Sequence, residues 1–464
     1  MRFVKVISVA IIVLLLLTLG SCTQAPKENS APVTRYSDLP LSGEGVAIGS
    51  HDDEYGFHIV NRVEFAHPQD YSSKNVAHSY QTLQTDVQKT IYDKVLDACY
   101  CFSDEKVESD TTYKMRPVIL DGTGFSPKEA EAAIIAVFDD HPEIFWMDYL
   151  FDIDYEYDNG SHITKLVLHS EYTAAGVVKM MREIDDALAA FYREMPKELS
   201  AYEREVYVYK YIIDHCVYDE NILDDKEYED SHPSLFNLYG VMVDHVAVCE
   251  GYAYSFDYLC SELGIDTVCI SGTVVLEEDG AETTDTLHLW NAVELDGEWY
   301  MADVTWDDPD DEEEIGDAYV YLNITDQVMA LDHTTDKTYA QITDDEYGLL
   351  ECYINNYLPP TCTATDYCYY LRKGIRMSSP DVDALCDGIV RAAEKRSAAL
   401  MINAGSDTTA QALCDSLFDG DQPYYQAMDR ANTVLTDAPL NTDADAVYYC
   451  LDDRGLIVFE MPYR

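Results

Sequence analysis

The stretch Val248–Ile265, VCEGYAYSFDYLCSELGI, decides how the middle of this chain is read. Tyr252, Phe256, Leu259 and Leu263 fall 4, 3 and 4 residues apart, which marks one face of a helix, and Gly264 supplies its C-terminal stop. The apolar residues just before it read as a short strand. Cys249 therefore stands at or just before a helix N-terminus. Unpaired N–H groups and the positive end of the helix dipole stabilise a thiolate there. A cysteine in that position also packs as a small hydrophobe, so the helix start alone leaves both readings open.

Downstream, HLWNAVELDGEWYMADVTW (His288–Trp306) carries Asp296-Gly297, a dipeptide favoured in two-residue hairpin turns. That turn pairs Leu295 with Glu298, and a ladder extended from it sets His288 opposite Thr305 and Trp290 opposite Asp303. Side chains alternate along a strand, so His288 and Asp303 share a face as diagonal neighbours, about 7–8 Å apart at Cα. A carboxylate at that range receives one imidazole N–H and fixes the tautomer, leaving the other ring nitrogen to take a proton from a thiol. Cysteine, histidine and carboxylate are the parts of Cys-His-Asp nucleophilic catalysis. The pattern also fits a structural His–Asp pair with a core cysteine.

Together with YVYLNITDQVMALDH (Tyr319–His333), these two motifs resemble, in order and spacing, the transglutaminase-like superfamily in the branch found in bacterial exported proteins. The resemblance implies an α+β fold with a papain-like, transglutaminase-like core, in which the cysteine helix packs on an antiparallel sheet. It also implies Cys249 as nucleophile, His288 as base and Asp303 as its orienter. Active members share thiolate attack on an amide carbon, a tetrahedral oxyanion, and transfer to water or an amine. The backbone N–H of Cys249 is the expected oxyanion donor.

Other residues are weighed against plainer roles. Trp290 and Trp306 are substrate-groove candidates that core packing would equally explain. Asn291 falls on the opposite hairpin face from His288, which favours a structural hydrogen bond. His245, four residues before Cys249, reads as solvated. His333 matches a family position for which the sequence supplies no role. The acidic run WDDPDDEEEIGD (306–317) lacks the ordered ligand spacing of a calcium loop and reads as exposed. No metal and no cofactor is expected.

The rest of the chain bounds the setting. It has 464 residues, with 30 Lys+Arg against 87 Asp+Glu and a formal net charge of -57. Such a field repels nucleic acid and anionic headgroups, so no nucleic acid is expected and contact with a membrane only through a lipid anchor, while a peptide or protein substrate is what the resemblance implies. MRFVKVISVAIIVLLLLTLGSC (1–22) has a basic start, an apolar run and small residues before Cys22. That is the layout of a lipoprotein-type signal peptide with Cys22 lipidated. Residues 23–50 form a polar tether. An N-terminal α+β domain (51–172), the transglutaminase-like domain (173–335) and a C-terminal α/β domain (336–464) follow, with single helices expected over Ser79–Cys99 and Ser379–Ala399. Ser126 with Glu129 and Ser200 with Glu203 form capping boxes. Setting aside Cys22 and Cys249, an odd number of the 13 cysteines remains, and most are read as reduced and buried.

The expectation is an exported, surface-anchored thiol enzyme, facing the extracellular side, that cleaves or transfers acyl groups of peptide or protein amides. Hydrolysis is favoured over cross-linking because water is always present. The alternative is a non-catalytic module that binds peptide or cell-wall material.

Overall fold

Both capping boxes start helices. Ser126 accepts from the N–H of Glu129 at the head of Pro127–Asp140, and Ser200 from that of Glu203 at the head of Ala201–His215; each glutamate side chain accepts in return. Two expected helices are shorter than the sequence pattern implied. Ser79–Cys99 divides into His78–Thr82 and Asp86–Cys99, because the Thr85 side chain accepts from the N–H of Gln88 and begins a new helix. The helix expected over Ser379–Ala399 spans only Val382–Glu394. Asp381 caps its start, Arg396 at φ 57 stops it, and Ala399 already begins a strand.

This computed structural model describes short strands at Val33–Arg35, Ser50–Asp52, His58–Val60 and Arg62–Glu64. It then describes residues 76–107, 112–120, 126–147, 153–157, 162–223, 228, 231–278, 281–308, 316–341, 355–437 and 439–463. The signal segment, Cys22 and most of the acidic run 306–317 lie outside the described residues. Among the described residues, no helix is long and apolar enough to cross a membrane.

The chain divides into two compact units, residues 1–291 with 332–359, and residues 292–331 with 360–464. In the first unit, Trp146 is fully buried against Tyr100, Phe102 and Phe145 and donates its indole N–H to the carbonyl of Cys99 at 2.8 Å. The helix Ala174–Glu194 buries Val177, Met181, Ile184, Leu188 and Phe191, a stripe at helical spacing. The same unit holds the cysteine helix, Cys249–Glu262, and the strand Asp266–Glu278. The second unit contains a four-stranded sheet in the order Ile375–Met377, Ala399–Ala404, Leu456–Glu460, Tyr448–Leu451. Its last two strands form an antiparallel hairpin. Among the described residues, helices mix with antiparallel pairs and three parallel pairs, an α+β fold.

The first unit also holds a group of carboxyls that the sequence did not announce. Asp140 accepts from the N–H groups of Ser79 and Tyr80 (2.8 and 2.9 Å) and from the Tyr92 hydroxyl (3.0 Å). Asp139 accepts from Ser79 and Asn356, Asp257 from Thr267, and His78 Nε2 lies 2.8 Å from Asp266. Burial pushes Asp139 up to about 8, helped by the charge of Asp140, and pushes Asp257 up to about 7. Burial acts to lower His78, but its hydrogen bond to Asp266 and that carboxylate's charge leave it raised.

A histidine raised in the folded state stabilises the fold below its unfolded value and loses that contribution as pH rises through the folded one. A raised buried carboxyl opposes folding increasingly as pH climbs from its ordinary value of 3.8 toward 7 or 8. Both effects point the same way. The urea midpoint is therefore expected to be lower at about pH 8.5 than at about pH 5.5, and Asp139→Asn should flatten the difference. Equal midpoints at the two pH values would contradict this account.

Candidate active site

Cys249 is the first residue of its helix and is 1% exposed. Val248 offers no side-chain cap, and its own N–H donates to the carbonyl of Leu235 at 3.0 Å. Gly264, at φ 73, follows the last turn as the spacing predicts. The thiol donates to Glu250 Oε2 at 3.0 Å, and that glutamate is itself 3% exposed. Glu250 is a partner that sequence reasoning missed; its one signal was an acidic side chain in the helix's first turn.

Three contacts set the register between this helix and the sheet. Thr267 donates to Asp257, the Cys269 thiol faces the carbonyl of Ala253 at 3.9 Å, and Asn291 Nδ2 reaches both that carbonyl (3.1 Å) and Cys269 Sγ (3.5 Å). Helix and strand Asp266–Glu278 thus run in opposite directions. Four helical residues and two strand residues each advance about 6 Å. Extending this helix–strand register sets Cys249 level with Ser271. Asn291 makes a structural hydrogen bond, as its place in the hairpin implied.

The sheet runs in the order Leu322–Ile324, Glu298–Ala302, Ala281–Leu295, Asp266–Glu278, His333–Thr335. Asp296 at φ 54 and Gly297 at φ 89 are both left-handed, the backbone of a type I′ hairpin turn. The regular strand after this turn ends at Ala302, one residue before Asp303. The ladder expected to run on to Thr305 therefore stops short. Asp303 N–H donates to the carbonyl of Tyr321 at 3.2 Å, and Asp303 Oδ1 accepts from the N–H of Trp306 at 3.1 Å, which turns the chain away.

Asp303 nevertheless joins a buried group. One nitrogen or oxygen from each of His288, Asp303 and His333 lies within 4.8 Å of the others, and the three residues are 4%, 1% and 4% exposed. His333 pairs across the sheet with Val274, and its Nδ1 lies 2.7 Å from Asp332 Oδ1. Its ring is 5.5 Å from that of His288, which stacks on Trp290 at 6.0 Å. The carboxylate can orient an imidazole here. The two imidazoles and the carboxylate are also a ligand set of the kind that holds a zinc-like ion. The dipeptide Asp332-His333 was the only sequence signal for the second pair.

The remaining candidates are placed as follows. Trp290 is 1% exposed and packs on His288 and His333, so it walls the core rather than an open groove. An indole is the side chain that fills the space left over Gly272. Trp306 is half-buried, edge-on to Tyr321 at 5.3 Å. His245 is exposed, at φ 60. All eleven described cysteines are without disulfides, and all but Cys386 and Cys450 are buried.

Residues 189–304 match the sequence model of the transglutaminase-like superfamily. The kyphoscoliosis peptidase of Mus musculus is 28% identical over 109 residues, which span 22% of this chain and only 15% of that relative. A crystal structure of a TGase is 14% identical with a TM-score of 0.24, covering 36% of this chain and 47% of its own. A crystal structure of a candidate cysteine protease from Cytophaga hutchinsonii is 12% identical with a TM-score of 0.20, covering 33% of this chain and 62% of its own.

Proposed function

We infer that this chain, which carries a transglutaminase-like domain, is a thiol enzyme acting on peptide or protein amides. In this reading Cys249 attacks the amide carbon, His288 takes the thiol proton and returns it to the leaving amine, and Asp303 holds the imidazolium. The N–H of Cys249, at the uncapped helix start, donates to the oxyanion. The observation that supports the reading is the buried grouping of His288 with Asp303 and His333, alongside a buried Cys249 at the first position of its helix. The family match and a relative named as a peptidase support the chemistry. The signal segment ending at Cys22 supports a lipid-anchored enzyme outside the membrane.

Acyl transfer to water outweighs transfer to an amine in this proposal. The test incubates the full chain with a peptide library and a labelled primary amine, scoring cleaved peptides and labelled peptides separately. Cleavage in excess of labelling is expected. Labelling in excess would make the protein a cross-linker. Retention of peptides without either product, at every pH between about 5 and 9, would leave the binding module in place of the enzyme.

A further inference from the structure

The helix Ala410–Phe418 and the edge strand Tyr448–Leu451 carry one cysteine each. Phe418 stacks on Tyr448, with ring centroids 5.2 Å apart and planes at 22°. That contact sets their register. Four residues back along the helix and two forward along the strand each advance about 6 Å, which brings Cys414 opposite Cys450. The two thiols are near enough to influence each other, and the Tyr448 side chain also reaches Cys414. Cys414 has no exposure and belongs to the core of this unit, whereas Cys450 packs against that core and is half-buried on the outermost strand. Both thiols are free in the structure.

We propose that Cys414 and Cys450 are a redox-responsive pair that closes to a disulfide and clips the edge strand to its covering helix. The oxidant is a low-molecular-weight disulfide such as oxidised glutathione. Cys450, the reachable thiol, attacks one of its sulfurs and releases one glutathione thiol. Cys414 then attacks the mixed disulfide at the Cys450 sulfur and releases the second. Two protein thiols lose two electrons and two protons, and one small disulfide becomes two thiols. Cys414 has no exposure and is out of reach of a small disulfide in solution, so it resolves the mixed disulfide rather than starting the exchange. The bridge would enclose the segment between the two cysteines, including the helix Pro423–Asn432, and restrict the unfolded chain.

The test treats the full chain with oxidised glutathione, alkylates the remaining thiols, and maps the digested peptides by mass spectrometry. The expected product is a Cys414–Cys450 peptide pair two hydrogens lighter than its separate thiol peptides. A thermal midpoint raised by several degrees and restored by dithiothreitol should accompany it. Cys450→Ser should show neither change while melting like reduced wild type. Recovery of both peptides alkylated, a persistent glutathione adduct at Cys450, or a different bridge forming first would overturn the proposal. The peptide map of wild type decides even if the variant does not fold.

Discussion

Cys249→Ala is expected to abolish turnover of any peptide amide the wild type cleaves, by about 10⁴-fold or more, while the urea midpoint stays close to wild type. The side chain is 1% exposed but small, and its thiol donates to the neighbouring Glu250. Removing it costs little packing and removes the only atom assigned to attack. His288→Ala should fall to a similar floor, because residues that act as one unit lose nearly everything together. Residual activity in Cys249→Ala within about tenfold of wild type would exclude the cysteine as nucleophile. The peptide assay and the melt are both needed, since a loss of activity with a lowered midpoint would report unfolding instead.

The largest stability effect is expected at Gly272. This residue pairs with Thr335 across the sheet. A Cβ built on it would overlap the carbonyl oxygen of Thr334 and lie 2.5 Å from Cη2 of Trp290. Neither neighbour can give way cheaply: one is ladder backbone, and the other is a buried indole that stacks on His288. Gly272→Ala should therefore cost about 3 kcal/mol or more, read as a lowered urea midpoint with an unchanged slope. Activity should also fall without denaturant, at temperatures well below the melt, because the displaced indole carries the imidazole with it. Gly297→Ala provides the contrast. A Cβ there meets nothing within 4 Å, so the cost is confined to the left-handed backbone at φ 89 and should be smaller. A Gly272→Ala midpoint equal to that of Gly297→Ala would contradict the close packing at this strand.

Legibility varied with the kind of physics involved. The cysteine helix was readable because its apolar residues repeat with the helical period and Gly264 ends it. The hairpin was readable because Asp296-Gly297 is one of few dipeptides that tolerate two consecutive left-handed residues. Ser79–Cys99 misled, since its apolar positions continue through Thr85 while the threonine side chain competes for the N–H of Gln88. The ladder to Thr305 misled for a related reason. Period two continues in the sequence, but Asp303 spends its carboxylate on the N–H of Trp306 and the strand ends.

Local rules act over a few residues, and they are what a sequence displays. By itself this sequence determined the helix that opens at Cys249, the turn that pairs the strand of His288 with the one that leads to Asp303, the capping boxes, and the likeness to transglutaminase-like domains. Tertiary structure alone decided which distant groups meet. It turned the Cys249 thiol to Glu250, closed Trp290 into the core over Gly272, and brought Asp332–His333 beside His288. It also gathered Asp139, Asp140 and Asp257 with His78 and Asp266, and set Cys414 against Cys450. These depend on how separate elements pack. Desolvation and charge act through space between residues that no spacing along the chain connects.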